Sequence, residues 1–241
     1  MFVDVVFHQI IIITKVVFCG RNSEAGTRIA TDNQCTFIKA DVTKHEDVES
    51  FFAQIKSKFG RLDVLINNAG VVSNVGKQAD IPLDEYKRIM DVNVNGAWYT
   101  LKYGVKLMEE SGNGGRVVNL SSLAGLSGMA STAGCSHYGV SKHAIGGLTK
   151  IMALEYAPLK IRINAIAPSP IETDLVRQFK ADAADPAQAQ AVLASTNPLV
   201  GPGDELPQVS DVTGVVAFLC GPEAKFINGV VLPIDGGYHC N

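Results

Sequence analysis

Tyr138 and Lys142 stand four residues apart in the stretch HYGVSK (137–142). Four residues make about one turn of an α-helix, so the phenol and the ammonium would be neighbours on one helix face. An ordinary tyrosine has a pKa of about 10, which suits proton transfer at neutral pH poorly. A cation one turn away favours the phenolate and should lower that pKa, so Tyr138 is a candidate acid and base. A half-buried tyrosine beside a surface lysine would explain an isolated pair, so the rest of the chain must decide.

The composition is that of a globular protein with a large core. The chain has 241 residues, of which 46% are hydrophobic and 19% charged, and we predict one domain over 1–241. The net charge is −3 and no basic run is present, which predicts neither a nucleic-acid partner nor a membrane partner. The apolar stretch 2–18 is too short and too interrupted by polar residues to span a bilayer. It also lacks the features of a signal peptide.

The five cysteines and five histidines show no CxxC, no HExxH and no other metal-ligand spacing, so we predict no metal site. An odd number of cysteines argues against a disulfide framework. Reduced thiols fit a cytoplasmic protein better.

Apolar runs alternate with helical stretches along the chain. We predict strands at 15–19, 36–40, 62–70, 116–122, 161–168 and 229–237, and helices at 22–31, 44–58, 83–110, 138–157 and 209–220. Short Val/Ile/Leu strands that alternate with helices predict an α/β fold with a doubly wound parallel sheet. Ligands bind beyond the carboxyl ends of such strands, where Asp41, Asn68, Ser122 and Pro168 each follow a strand.

Six motifs occur in the order found in classical short-chain dehydrogenases/reductases, and the chain resembles that family from about Lys15 to Tyr238. The motifs are NNAG (67–70), VNVNG (92–96), VVNLSS (117–122), YGVSK (138–142), RINAIAP (162–168) and DGG (235–237). The resemblance implies a Rossmann-like sheet and hydride transfer between NADP(H) or NAD(H) and a small carbonyl or secondary alcohol. It also implies a homo-oligomer, a tetramer or dimer, formed through the helices at 83–110 and 138–157 and the last strand.

The resemblance assigns the proton chemistry to Tyr138, as acid in reduction and base in oxidation. Lys142 would tune the phenol and hold the nicotinamide ribose. Ser122 would hold the substrate oxygen; it is favoured over Ser121 because Leu123, Ala124 and Gly125 complete the serine-x-x-glycine pattern. A buried capping hydroxyl remains an alternative for either serine.

Asn93 corresponds to the asparagine that kinks the long helix and holds a water in the proton relay. Asn95 is the competing choice, and a surface amide is its ordinary interpretation.

Three groups of residues correspond to cofactor-binding positions of the family. Asn68, Ala69 and Gly70 would let the backbone approach the cofactor, or form a plain strand-end turn. Asp41 and Val42 would line the adenine, although Asp41 could equally cap the next helix. The third group, Pro168, Ile171 and Thr173, would contact the nicotinamide amide and the phosphates.

Two further positions differ from the residues that are usual in the family or in its NAD-dependent members. Ser169 replaces the usual glycine after Pro168 and should restrict the backbone there. Arg21 follows the strand at 15–19 where NAD-users place an acidic residue. A cation suits a 2′-phosphate, so NADP(H) is favoured and NAD(H) is possible. An exposed arginine at a strand end is the alternative.

The glycine-rich turn that opens the family's first helix is absent from the sequence. Only 14 residues precede the strand at Lys15, and a βαβ unit takes about 30. We expect an irregular first strand and helix, with Val3–Phe7 or Ile10–Thr14 filling part of the gap in the sheet. A splice product or a shortened gene prediction would give the same pattern.

The sequence is therefore compatible with two functions. One is an NADP(H)-dependent oxidoreductase, with 174–207 as substrate lid and an extra loop at 129–134 over the substrate pocket. The other is a non-enzymatic relative that has lost dinucleotide binding and acts as a structural or regulatory subunit.

Overall fold

The computed structural model describes residues 15–72, 76–128, 135–181, 185–201 and 204–240. The strands are β1 (Val17–Gly20), β2 (Thr36–Lys39), β3 (Val64–Asn67), β4 (Gly115–Leu120), β5 (Ile161–Pro168) and β6 (Val231–Ile234). The helices are α1 (Ser23–Asp32), α2 (His45–Phe59), α3 (Leu83–Met90), α4 (Gly96–Ser111), α5 (Ser136–Tyr156), α6 (Asp174–Ala181), α7 (Pro186–Ser195) and α8 (Ser210–Cys220). Short 3-10 turns lie at Gln78–Asp80, Leu123–Gly125, Ala157–Leu159, Pro222–Ala224 and Tyr238–Cys240.

All described strand pairs are parallel, which confirms the predicted doubly wound α/β sheet. β1 pairs with β2, and the other four strands follow the order β3-β4-β5-β6. On one face, α2, α4 and α5 cover the sheet through residues such as Phe52, Leu101 and Met152. On the other face, Val212 and Val216 of α8 pack against the strands. Burial on both faces explains why these strands are short runs of Val, Ile and Leu.

The described part of the chain divides its strands into two sheets, because no described strand lies between β1 and β3. Cys19 and Ile38 of the smaller sheet nevertheless pack against the same core as α2 and α4. The segments expected to fill the gap, 3–7 and 10–14, lie outside the described residues. So does the extra loop at 129–134.

Local sequence signals explain the clearest helix boundaries. Helix α2 has Glu46 and Asp47 in its first turn and Lys56 and Lys58 in its last, which suits the helix dipole. It ends at Gly60, whose φ of 73° is left-handed and favours glycine. No helix in the described part of the chain is long and apolar enough to cross a membrane.

The long helix expected at 83–110 is interrupted. Residues Asp91–Asn95 form a π-helical turn between α3 and α4. Such a turn inserts an extra residue and re-aims the side chains on it, and it occurs often at functional sites. The helices α6 and α7 were not predicted. Their sequence was assigned to the substrate lid, and the stretch 180–191 is rich in Ala, Asp and Gln.

Candidate active site

Tyr138 and Lys142 lie on the same face of α5, as their spacing predicts. The Lys142 Nζ is 5.6 Å from the centroid of the Tyr138 ring. Lys142 is only 5% exposed, and its ammonium donates a hydrogen bond of 2.9 Å to the carbonyl oxygen of Leu120 at the end of β4. The lysine is therefore a buried cation fixed to the sheet, which rules out the surface-lysine interpretation.

The predicted lowering of the Tyr138 pKa is wrong for the protein alone. Burial raises the pKa of Tyr138 to about 12, and the nearby Cys135 adds to the rise, while a hydrogen bond with the Ser122 hydroxyl opposes it. Burial also lowers the pKa of Lys142 to about 8. Removing the phenolate from water costs more than the hydrogen bond from Ser122 returns. Within the chain itself, Tyr138 is a proton-bearing acid at neutral pH.

The two candidate serines have different surroundings. Ser122 shares a hydrogen bond with the Tyr138 phenol, and its Oγ also accepts from the Ala124 N–H at 3.2 Å. Ser121 is buried and donates to the carbonyl oxygen of Lys142 at 2.9 Å. Of the two, Ser122 faces the phenol and Ser121 ties β4 to α5.

Gly125 explains how the turn that carries Ser122 reaches α5. A Cβ at this position would lie 2.6 Å from the Lys142 carbonyl oxygen. Only glycine allows so close an approach, which is the physical reason for the serine-x-x-glycine pattern.

Asn93 is buried in the π-helical turn and holds the loop after β3. Its Oδ1 accepts from the Val71 N–H at 2.8 Å, and its Nδ2 donates to the Val71 carbonyl at 2.9 Å and to the Ser141 hydroxyl at 3.0 Å. Asn95 is exposed and donates to the Asp91 carboxylate. The structure therefore gives Asn93 a place beside Lys142, and Asn95 the ordinary role of a surface amide.

The loop that follows β3 passes over the lysine. Asn68, Ala69 and Gly70 come directly after the strand, and Ala69 and Gly70 are exposed. A Cβ on Gly70 would be 3.4 Å from the Lys142 Nζ and 3.6 Å from the Asn93 Oδ1. Gly70, Asn93, Ser122, Tyr138 and Lys142 thus form one group at the carboxyl ends of β3 and β4, here named the Tyr138 cluster.

Arg21 and Asp41 follow β1 and β2 at the other end of the same edge. Burial opposes ionisation of Asp41, but hydrogen bonds from Thr43 and the positive charges of Arg21 and Lys44 bring its pKa below the ordinary value. The Asp41 carboxylate accepts from the Thr43 N–H at 3.0 Å and hydroxyl at 2.8 Å. Helix α2 has Lys44 at its N-cap position, so Asp41 shapes the preceding turn and is not the cap.

A cavity of ≈ 380 Å³ opens beside these residues. It is lined by Arg21, Thr43, Asp84, Lys87, Arg88, Asp91 and Val92, and we name it the β1–β2 cavity. Asp41 and Val42 are not among its lining residues. The Val42 side chain packs against Gly96 of α4, and a Cβ added to Gly96 would lie 3.0 Å from the Val42 Cγ2. The cavity residues Thr43, Asp84 and Lys87 were not predicted, because polar residues on a turn and on a helix surface carry no distinctive sequence signal.

The segment after β5 is well buried. Ser169 is 6% exposed and lies outside the left-handed region of φ, so this turn does not need the usual glycine. Its backbone N–H donates to the Ile234 carbonyl at 3.0 Å, and its hydroxyl donates to the Asn197 Oδ1 at 2.8 Å. Pro168 ends β5, Ile171 packs into the core under α8, and Thr173 caps α6 through the Val176 N–H.

Two groups of described residues at the strand ends could hold a dinucleotide. The Tyr138 cluster offers a phenol, a hydroxyl and a cation at one end, and the β1–β2 cavity offers cations at the other. Within the described ranges no glycine-rich turn lies between them to hold a pyrophosphate.

The family model described as enoyl-(acyl carrier protein) reductase matches residues 14–239, nearly the whole chain. The chain belongs to the classical short-chain dehydrogenase/reductase family. Among curated relatives, a 3beta-hydroxysteroid dehydrogenase of Mediterraneibacter gnavus is 32% identical over 92% of this chain and 85% of its own length. This chain is thus an NAD(P)-dependent oxidoreductase by family.

Two solved structures that are similar to this chain hold a nicotinamide dinucleotide. ElxO with NADP bound is 33% identical with a TM-score of 0.82, covering 94% of this chain and 89% of that one. The 3-ketoacyl-(acyl-carrier-protein) reductase of Brucella melitensis complexed with NADH is 29% identical with a TM-score of 0.82, covering 93% and 88%. A nicotinamide dinucleotide is therefore the cofactor class, and the two structures differ in which one they hold.

Proposed function

We propose that this chain transfers hydride between NADP(H) and a small carbonyl or secondary alcohol, with Tyr138 exchanging the proton. The observation that carries the proposal is the half-buried phenol of Tyr138, which is hydrogen-bonded to Ser122. The centre of its ring lies 5.6 Å from the Lys142 Nζ. A bound nicotinamide supplies or accepts the hydride. The protein's own groups must then position a carbonyl oxygen and move one proton to it or from it.

In reduction, the proton would leave the Tyr138 hydroxyl for the substrate oxygen. A pKa of about 12 means that the phenol carries this proton at neutral pH. Ser122 already shares a hydrogen bond with the phenol, so its hydroxyl is placed to hold a substrate oxygen beside Tyr138. In oxidation, the phenolate is needed, and more positive charge beside the ring would have to lower the pKa before Tyr138 acts as a base.

Lys142 supports the phenol and, by analogy with the family, holds the nicotinamide ribose. Its pKa of about 8 leaves it charged at neutral pH. Asn93 positions Val71 and Ser141, and thereby the two chain segments on either side of the lysine. The chain's own Leu120 carbonyl keeps the ammonium in place.

At the other end, we propose that Arg21 and the β1–β2 cavity select NADP(H). Arg21 is exposed at the end of β1, and Lys87 lines the same cavity from α3. Two cations suit a phosphate group. Asp84 and Asp91 also line the cavity and would suit ribose hydroxyls, so NAD(H) is the competing ligand. Asp41, Val42, Asn68, Ala69, Gly70, Pro168, Ile171 and Thr173 complete the proposed cofactor contacts.

A homo-oligomer fits the exposed apolar surface of α4 and α5. Trp98 of α4 is 45% exposed, and Ile151 and Leu154 of α5 are 66% and 80% exposed. A second copy of the chain would remove this surface from water, and the resemblance to the family favours a tetramer or dimer. The five cysteines are free, which accords with a cytoplasmic protein.

Titration of the purified chain with NADPH, followed by fluorescence and melting temperature, tests the proposal. Saturable binding in the micromolar range, with turnover of a panel of ketones, is the expected result. Silence up to millimolar NADPH would instead support the non-enzymatic relative, which the comparisons do not favour. Running NADH in parallel separates loss of dinucleotide binding from a wrong choice of dinucleotide.

A further inference from the structure

Residues 169–173 are the point at which several chain segments meet. The backbone N–H of Ser169 is bonded to the end of β6, and the backbone N–H of Glu172 donates to the Pro207 carbonyl at 2.8 Å. Lys180 of α6 donates to the Glu172 carboxylate at 2.8 Å and to the Gln190 Oε1 of α7 at 3.1 Å. Helix α6 and Pro207, at opposite ends of the region 174–207, are therefore both hydrogen-bonded to Glu172 of the turn that follows β5.

Ser169 and Asn197 make the most buried of these connections. Ser169 is 6% exposed and Asn197 is 2% exposed, and their side chains share a hydrogen bond of 2.8 Å. Asn197 also donates to the Pro170 carbonyl at 3.4 Å, so its amide spans two consecutive residues of the turn. A buried polar pair of this kind is costly to break, because each group would be left without a partner.

The hydroxyl explains why a serine can stand where the family has glycine. The backbone at Ser169 does not use the left-handed region that would require glycine. The side chain instead adds a donor that Asn197 accepts. Replacement by alanine would remove only the hydroxyl and its hydrogen bond, whereas replacement by glycine would also add backbone freedom.

We propose that Ser169 and Asn197 form a latch that couples the cofactor-binding turn to the 174–207 region. The inference rests on the proposed function, because Pro168, Ile171 and Thr173 flank the latch and are the proposed nicotinamide contacts. A dinucleotide that orders this turn would then also order 174–207 through the latch. Both residues are positioning residues, since neither needs to touch the substrate.

Limited trypsin digestion tests the latch, with cleavage after Arg177 and Lys180 of α6 followed by mass spectrometry. Without dinucleotide, Ser169→Ala, Ser169→Gly and Asn197→Ala should each be cleaved about 2- to 10-fold faster than the parent, the range that one net hydrogen bond allows. The double variant Ser169→Ala/Asn197→Ala should be cleaved no faster than Asn197→Ala, because the shared hydrogen bond is already lost in that single variant. Ser195→Ala is the matched control, since Ser195 is exposed on the same segment and bonds only within α7.

Adding saturating NADPH separates coupling from simple loss of rigidity. NADPH should slow cleavage of the parent and of Ser195→Ala, and should protect the latch variants much less although they still bind it. Parental cleavage rates in the latch variants without dinucleotide would overturn the latch. Faster cleavage with undiminished protection by NADPH would overturn the coupling. If the parent binds no dinucleotide, the proposed function fails, and the digestion without dinucleotide still decides whether the latch exists.

Discussion

The Tyr138 cluster and the β1–β2 cavity lie on the same edge of the fold but are built differently. In the cluster, Asn93 and Lys142 are 1% and 5% exposed, and both are hydrogen-bonded to backbone carbonyls of neighbouring segments. In the cavity, Arg21 and Lys87 are exposed residues at a strand end and on a helix surface. The first region is preorganised by the protein, whereas the second depends on what binds to it.

This difference leads us to expect different effects of substitutions in the two regions. A substitution in the Tyr138 cluster should alter rate and stability together, because it disturbs buried groups with fixed partners. A substitution in the β1–β2 cavity should alter the choice of dinucleotide and little else, because exposed charges contribute little to stability.

Among the residues that support Tyr138, replacement of Lys142 by methionine (Lys142→Met) should cause the largest loss of activity. Methionine keeps an apolar stem but removes the cation and leaves the Leu120 carbonyl without its donor. We expect ketone reduction to fall by about 10²-fold or more, the lower end of what general acid–base assistance contributes. Lys150→Met is the control, since Lys150 is exposed on the same helix. Steady-state kinetics with NADPH would show equal rates for both variants if the buried cation were irrelevant.

Asn93→Ala should lower both activity and stability. Its loss leaves the Val71 amide and carbonyl without partners, and removing one partner of a buried hydrogen bond costs about 1–3 kcal/mol. The denaturation midpoint and kcat should therefore fall together. Asn95→Ala, which removes only an exposed bond to Asp91, should leave both unchanged. The reverse ranking of the two variants would show that the wrong asparagine is assigned.

Arg21→Ala should change the preference between dinucleotides. Loss of a charge-assisted hydrogen bond to a 2′-phosphate should weaken NADPH relative to NADH by about tenfold. The dissociation constants of both, measured on parent and variant, give this ratio directly. Arg28→Ala, an exposed arginine of α1, serves as the control. A preference for NADH in the parent, unaffected by Arg21→Ala, would contradict the proposed role of Arg21.

The pH dependence of reduction should be the mildest effect. Below pH 8, Tyr138 holds its proton and Lys142 its charge; above it, Lys142 loses its charge, because burial lowers its pKa to about 8. We expect kcat/KM for ketone reduction to be level through neutral pH and to decline above about pH 8. A profile that declines only above pH 10, where an ordinary lysine titrates, would show that Lys142 is not perturbed.

The fold could be predicted from the sequence because apolar strands alternate with helices along the chain. The members of the Tyr138 cluster could be predicted because short motifs occur in the order known from the family. Tyr138 and Lys142 share a helix face because of their spacing. The serine-x-x-glycine pattern of the family favoured Ser122, and the structure places its hydroxyl beside the phenol. Sequence reasoning failed on the Tyr138 pKa, because burial depends on segments far apart in the chain. Asn197 was missed for the same reason: its partner Ser169 is 28 residues away.

The most direct test of the account is the rate of Tyr138→Phe with NADPH and a ketone that the parent reduces, measured beside NADPH binding by the same samples. Phenylalanine keeps the ring and removes only the hydroxyl that we assign to proton exchange. We predict that NADPH binding stays close to that of the parent and that turnover is abolished. Near-parental turnover by Tyr138→Phe would contradict the account, because another group would then be supplying the proton.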